Sequence, residues 1–312
     1  MSTTLDLAIV GGGPSGLAAA TYAIHANLSF ALVSPDLGGK VSYPFALRDV
    51  PRYDTVWGAG LVREFADYTS TYLAGAPDAH VKSTVNLITR DGTGVFQLAL
   101  ANGAKLHSRT VIFCAGVRAQ RLFVDGETTY WGKGLSFSAL SHAPQLKGKD
   151  VAVIAGGDRA IVATTILKRF ASHIYYIAHR PQRMENQELS VKALDDPAIT
   201  VFRDWEVQQI LGDEFVTGIA LVGMNGEVRT LPVEGVFVQF GLLPNNDAVR
   251  ELVEIDEQGH IIVDESCRTS MPGFYAAGDV TNVHAEQVTV SVGEGAKAAL
   301  SAWEYLSSLA YR

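Results

Sequence analysis

The residues from Ile9 to Gly16 read I-V-G-G-G-P-S-G, which puts Gly11, Gly13 and Gly16 at the spacing G-x-G-x-x-G. After a strand and before a helix, that spacing cradles the pyrophosphate of a dinucleotide. Gly11 permits a tight turn, Gly13 lets the backbone approach the phosphates, and Gly16 lets helix and strand pack closely. A helix opening at Pro14 and Ser15 would aim its first N–H groups, and their partial positive charge, at the anion. The acidic residue that usually takes the ribose hydroxyls, roughly twenty positions on, is missing. Ser34 stands there and Asp36 follows, and either offers an oxygen. A second glycine stretch, Ala155-Gly156-Gly157-Asp158-Arg159-Ala160, repeats the theme in mid-chain. Its first position holds alanine, which resists positive φ.

Both turns need a strand before them and a helix after. Asp6 to Val10 is a short apolar run, Ser15 to His25 is small and apolar enough for a helix packed on a sheet, and Ser29 to Val33 reads as the next strand. Asp150 to Ile154, Ala160 to Phe170 and Ile174 to Ala178 repeat that β-α-β order. Val95 to Leu100 and Leu106 to Cys114, joined through Asn102-Gly103, read as a hairpin-like segment. Val216 to Val222 and Glu227 to Leu231, around Asn225-Gly226, match it in the second half, followed by the apolar run Val236 to Phe240.

The 312 residues are 47% hydrophobic and 19% charged, with 30 glycines, a globular composition long enough for two domains. A net charge of −8 without any basic run excludes a nucleic-acid footprint. Met1 to Asp6 is polar and leads straight into a strand, and no apolar stretch reaches about 18 residues. A soluble cytoplasmic protein with neither signal peptide nor membrane span is expected. Cys114 and Cys267 offer neither a disulfide framework nor, with the histidines, a metal-site spacing.

Pro272-Gly273-Phe274-Tyr275-Ala276-Ala277-Gly278-Asp279 ends an apolar strand with a carboxylate. Here the chain resembles the pyridine-nucleotide–disulfide oxidoreductase superfamily, in its low-molecular-weight, thioredoxin-reductase-like branch. Gln287-Val288-Thr289 before Gly293-Glu294-Gly295-Ala296 resembles the segment whose backbone faces the flavin ring. Val111 to Gly116 resembles the family strand ending in A-T-G, Leu37-Gly38-Gly39-Lys40-Val41 the G-G-Q-L loop beside the flavin, and Gly241 to Asn245 the G-x-x-P-N return. The resemblance implies an α/β protein of two Rossmann-like, three-layer nucleotide-binding domains, the second inserted in the first. Residues 1–117 and 244–312 would form the FAD domain and 118–243 the NAD(P)-binding-like domain, in a homodimer. FAD would lie on Gly11, Gly13, Pro14, Ser15, Gly16, Ser34, Asp36, Gly39, Lys40, Val41, Val85, Ala115, Gly116, Gly278, Asp279, Gln287 and Val288. Within that set, Asp279 would bond a ribityl hydroxyl.

The pattern breaks where the family keeps sulfur. Its C-A-T-C aligns with Ser138-Ala139-Leu140-Ser141, so Ser138 and Ser141 stand at both cysteine positions. Hydroxyls cannot exchange disulfides, which needs a thiolate attacking sulfur, and thioredoxin reduction by the usual route is excluded. Ala155 to Ala160 replaces G-G-G-x-S-A. Arg159 would either add a bond to a phosphate or fill the dinucleotide's space. His179-Arg180-Pro181-Gln182-Arg183 replaces H-R-R-x-x-x-R, keeping His179 and Arg180 while Pro181 removes one arginine. Gly156, Gly157, Arg159, His179 and Arg180 are therefore the candidate NAD(P)H residues. Thioredoxin-reductase-like ferredoxin–NADP reductases share the architecture without the cysteine pair, and Tyr43 is the candidate for an aromatic stacked on the flavin as in them. Any C-terminal lid like theirs would be short, since Tyr311 and Arg312 end the chain soon after the last helix. Three expectations follow: an FAD oxidoreductase moving electrons between NAD(P)H and a protein or small-molecule acceptor, a ferredoxin-linked flavoenzyme without NAD(P)H, or a non-catalytic flavin sensor.

Overall fold

The computed structural model describes residues 4–42, 45–50, 59–179, 192–283 and 285–310. Along the chain run β1 (Leu5–Val10), α1 (Pro14–His25), β2 (Phe30–Val33), α2 (Ala59–Gly75), β3 (His80–Val81), β4 (Val85–Arg90), β5 (Phe96–Leu100) and β6 (Lys105–Phe113). Next come β7 (Val117–Ala119), α3 (Glu127–Tyr130), β8 (Leu135–Ser136), α4 (Ala139–His142), β9 (Asp150–Ala155), α5 (Asp158–Leu167), β10 (His173–Ala178) and β11 (Ile199–Arg203). The remainder holds β12 (Trp205–Gly212), β13 (Val216–Gly223), β14 (Val228–Pro232), β15 (Gly235–Gln239), β16 (Leu242–Pro244), β17 (Phe274–Ala276) and α6 (Val288–Ala310).

Contacts divide the chain into two units. The first takes Met1–Ser42, Trp57–Arg118 and Leu243–Arg312, and the second Tyr43–Val56 and Ala119–Leu242. Two boundaries of the sequence-based division each lie one residue from these, but it leaves residues 43–56 with the first domain. The reason is apolar: Phe45 and Leu47 bury among Ala139, Ala143 and Phe237 of the second unit. Ala46 N–H donates to Gly132 at 2.8 Å, and Arg48 pairs with Asp213.

In the first unit, β3-β2-β1-β6 is a parallel sheet, and β6 serves two partners on its far side. Its beginning pairs antiparallel with β5, which continues to β4, and its end pairs parallel with β17. Leu7, Ala8 and Ile9 of β1 are fully buried, as a central strand covered on both faces requires. On one face α1 packs through Leu17, Ala19, Ala20 and Ala23 against Ala298, Ala299 and Ala302 of α6. Small residues let those helices approach closely. A Cβ on Gly295 would collide with the Ser15 backbone.

The second unit repeats the plan with a five-stranded parallel sheet, β11-β10-β9-β15-β8, and a separate antiparallel ribbon, β12-β13-β14. The turn at Asn225-Gly226 is the ribbon's tight corner, with Gly226 at φ +80°. Among the described residues no helix is long and apolar enough to cross a membrane.

Candidate functional site

The glycine turn between β1 and α1 is built by exclusion. Gly11 holds φ +111°, and a Cβ there would collide with the Cys114 carbonyl. A Cβ on Gly16 would strike Gly11's own carbonyl, and one on Gly12 the Ser34 hydroxyl and Asp36 carbonyl. Gly13 is the contrast. It caps α1 in ordinary extended backbone, and nothing lies within 4 Å of where its Cβ would be. Gly116 and Gly293 face open space in the same way. No acidic residue sits in the first turn of α1, and Pro14 occupies N1 or N2, so the helix start offers N–H groups and positive potential without a competing carboxylate. An open cradle lined by backbone, with glycine wherever a side chain would intrude, fits a dinucleotide pyrophosphate.

At one end of the cradle, Ser34 is 2% exposed and donates its hydroxyl to the Asp36 carbonyl. Of the two ribose candidates, Ser34 thus has its proton committed inside its own turn and only its oxygen lone pairs left to accept, which the residue type alone does not reveal. Asp36 lines an open pocket of about 440 Å³ together with Pro35, Leu37, Ser70, Leu73, His80 and Lys82. His80 Nε2 contacts the Ser34 carbonyl at 3.1 Å and fixes the end of β2 from below. Sequence reasoning missed His80, Lys82 and Ser70, because β3 and α2 carry no motif that announces them. Val85 stands at the start of β4, half-buried.

Toward the other end lies Asp279, just after β17. Lys40 Nζ donates to its Oδ2 at 2.7 Å and Ser291 Oγ approaches Oδ1 at 3.3 Å. Gly278 N–H donates to Glu294 Oε2 at 2.8 Å. Burial pushes the Glu294 carboxyl up, that hydrogen bond and Lys297 hold it down, and the Asp279 charge adds to the rise. Gln287 and Val288 open α6, and Val41 packs on the core that α1 and α6 share. Ala115 and Gly116 are fixed by Asn245, whose Nδ2 donates to the Ala115 carbonyl at 2.8 Å and whose N–H donates to that of Gly116 at 3.0 Å. Gly39, Lys40, Val41, Asp36 and Asp279 thus gather around the glycine turn, while Tyr43 lies outside the described residues. Burial pushes the Cys114 thiol up to about 12 and the Cys267 thiol to about 11, so both are held as inert thiols.

The second unit keeps the turn with different contents. Gly157 caps α5 at φ +128° and ψ −161°, a conformation reserved for glycine. Ala155 is buried at the end of β9, and Asp158 places a carboxylate in the first turn. Arg159 follows it in α5. His179 Nδ1 accepts from Val207 N–H at 3.3 Å, and its ring stacks on Phe240 at 5.5 Å. Arg180, Pro181 and Arg183 lie outside the described residues.

At the positions aligned with C-A-T-C, Ser138 Oγ donates to Ser141 Oγ at 3.0 Å and caps α4 by accepting Ser141 N–H at 3.4 Å. Ser136 Oγ accepts Ser138 N–H at 2.9 Å and pairs with His142 Nδ1 at 2.7 Å. The His142 ring stacks on Phe45 at 4.2 Å, and burial pushes its pKa down to about 4. Three hydroxyls, the Ser138 N–H and a neutral imidazole are therefore linked by hydrogen bonds at and before the start of α4. His142 and Ser136 were not singled out from sequence; their pairing, unlike a motif, becomes visible only in three dimensions.

The family model for pyridine nucleotide-disulphide oxidoreductases matches residues 5–295. The chain is 33% identical over 302 residues to an NADH dehydrogenase of Bacillus subtilis, covering 96% of this chain and 58% of that protein. It is 34% identical over 303 residues to an alkyl hydroperoxide reductase subunit of Pseudomonas putida, at 96% and 58% coverage. The chain thus spans a little under three-fifths of the length of these relatives. The thioredoxin reductase structure from Streptococcus pyogenes superposes with TM-score 0.86 at 29% identity, covering 99% of this chain and 100% of that one. That from Giardia duodenalis gives 0.83 at 26% identity, with 98% and 100% covered. Members of this family typically bind FAD and NAD(P)H. The chain belongs to the pyridine nucleotide-disulphide oxidoreductase family, in its low-molecular-weight thioredoxin-reductase-like form, with two distant cysteines and no C-x-x-C pair.

Proposed function

We propose that this chain is an FAD-dependent oxidoreductase without a redox-active disulfide, moving electrons between NAD(P)H and a protein or small-molecule acceptor. The observation that carries the reading is the pairing of an open first cradle with hydroxyls at both sulfur positions. In the first unit, the N–H groups after Gly11 would hold the pyrophosphate and Asp36 the ribose. Asp279 would take a ribityl hydroxyl, and the backbone at Gln287 and Val288 would face the ring, beside Gly39 to Val41. FAD, when bound, supplies a site that accepts a hydride and releases its electrons singly or as a pair. Ser138 and Ser141 contribute no electrons, since an alcohol has no counterpart to the thiol–disulfide couple. Transfer to the acceptor is therefore direct, and Tyr43 is our candidate for the aromatic that governs access. Gly156, Gly157, Arg159, His179 and Arg180 would contact the nicotinamide dinucleotide, and the chain would act as a homodimer in the cytoplasm.

Rapid anaerobic mixing of the oxidised holoprotein with NADPH and with NADH tests this reading. Bleaching of the long-wavelength flavin band with either supports it, and no bleaching with both removes it. Ala155, Asp158 and Arg159 at the second turn favour one alternative, a flavoenzyme served by a ferredoxin-like carrier alone. Bleaching by reduced ferredoxin but by neither nicotinamide selects that alternative. Failure of all donors leaves a flavin sensor.

A further inference from the structure

Lys40 is where the loop beside the glycine turn departs in charge from the G-G-Q-L pattern. Its Nζ meets Asp279 Oδ2 at 2.7 Å, although 239 residues separate the two in sequence. The lysine side chain is 50% exposed and the aspartate 14%. They reach this meeting from opposite flanks of the phosphate cradle. Gly39, at φ +59°, lies so near the turn that its Cβ would stand 2.9 Å from Gly13 Cα. Gly278 lies as tightly against the start of α1, where a Cβ would stand 2.8 Å from Ser15 Oγ. The ion pair therefore lies beside the start of α1.

Charge gives that position its consequence. Asp279 and Glu294 put two carboxyl groups beside a cradle shaped for an anion, and Lys40 supplies a cation between carboxylate and solvent. A lysine ammonium is a compact charge on a flexible stem. It can leave a carboxylate for a nearby anion once a hydroxyl takes its place as the carboxylate's donor. We propose that Lys40 is an electrostatic latch on the dinucleotide. Paired with Asp279, it lies within reach of the cradle and turns to the anionic part of a bound cofactor once a hydroxyl engages Asp279. It thereby slows release and favours the reduced, more negative form. The inference rests on the FAD reading above and adds control of retention and reduction potential to it.

The test compares wild type, K40Q and K40R as apoproteins titrated with FAD, followed by flavin fluorescence at low salt and at about 1 M salt, where charges are screened within about 3 Å. Midpoint potentials of the holoproteins are read by dye equilibration. K40Q is expected to raise the FAD Kd about tenfold at low salt, with the gap closing at high salt, and K40R to stay within about twofold of wild type. Reduced FAD should lose about tenfold more affinity than oxidised FAD, which moves the midpoint by about −30 mV for a two-electron couple. K40Q equal to wild type in Kd, salt response and midpoint overturns the latch. So does K40R as weak as K40Q, which would assign the loss to stem packing. Wild type that takes up no FAD removes the FAD reading itself, and the latch with it.

Discussion

The two glycine turns of this chain sit on the same scaffold and differ in what they present. At the first, Gly13 opens onto empty space and no carboxylate stands in the first turn of α1. At the second, Ala155 replaces a glycine, Asp158 puts a carboxylate in the first turn of α5, and Arg159 follows. Each turn nevertheless needs a glycine at large positive φ, at different places: Gly11 directly after β1, and Gly157 at the N-cap of α5. The difference teaches that the β-α-β unit is maintained by its core, whatever it binds. Affinity for an anion is set by a few positions at the helix start. The second unit also differs in holding Ser136, Ser138, Ser141 and His142 in a chain of hydrogen bonds at the start of α4.

The strongest way to break this comparison is to put a carboxylate at the start of α1, where the first turn has none. G13D places a carboxylate in the open cradle at a position whose backbone accepts any residue. A like charge within about 4 Å of a phosphate costs about 4 kcal/mol at a near-surface dielectric. FAD affinity should therefore fall more than about 100-fold while the far-UV circular dichroism is unchanged. Undiminished FAD content in G13D would show that the cradle is not the phosphate site.

Next in size is the network of the second unit. His142 is neutral when folded, with its pKa down at about 4, so the unfolded chain binds the extra proton first as pH falls. Stability is complete above about pH 6.5 and declines toward about pH 4, by on the order of 2–3 kcal/mol from this group. Urea melts of H142Q should lack that part of the acid-side decline, and parallel curves for the two proteins would deny the network a structural role. G157A tests the glycine cap of α5: it should cost about 1–3 kcal/mol in the same melts, because alanine is strained at φ +128°. The smallest effect is expected from D158N. Removing a carboxylate from the helix start should tighten NAD(P)H about threefold in equilibrium titrations. Weaker binding would mean that Asp158 helps to hold the dinucleotide.

Much of this was legible in the residues, for local reasons. The turns at Gly11, Asn102-Gly103 and Asn225-Gly226 announce themselves because each demands a backbone that favours glycine, Gly16 because the turn leaves no room for a Cβ, and the repeated β-α-β order through its apolar runs. The helix α2 gave no such signal: its buried positions are as sparse as Ala59, Val62, Thr69 and Leu73. Nor could the donation of the Ser34 hydroxyl to the Asp36 carbonyl be read, since a serine looks the same whether its proton is free or committed. The Lys40–Asp279 pair and the burial of Phe45 beside His142 join residues distant in sequence, and only folding brings them together.

The central claim is that the flavin of this protein works without a partner disulfide, and electron counting tests it most directly. Holoprotein is titrated anaerobically with dithionite while flavin absorbance and reactive thiols are followed together. The account predicts full bleaching at two electrons per FAD, with no thiols beyond Cys114 and Cys267 in the denatured protein at any stage. Ser138 Oγ and Ser141 Oγ stand 3.0 Å apart, so the variant S138C/S141C should form a disulfide and raise the uptake to four. Uptake of four electrons per FAD by the wild-type chain would contradict the account.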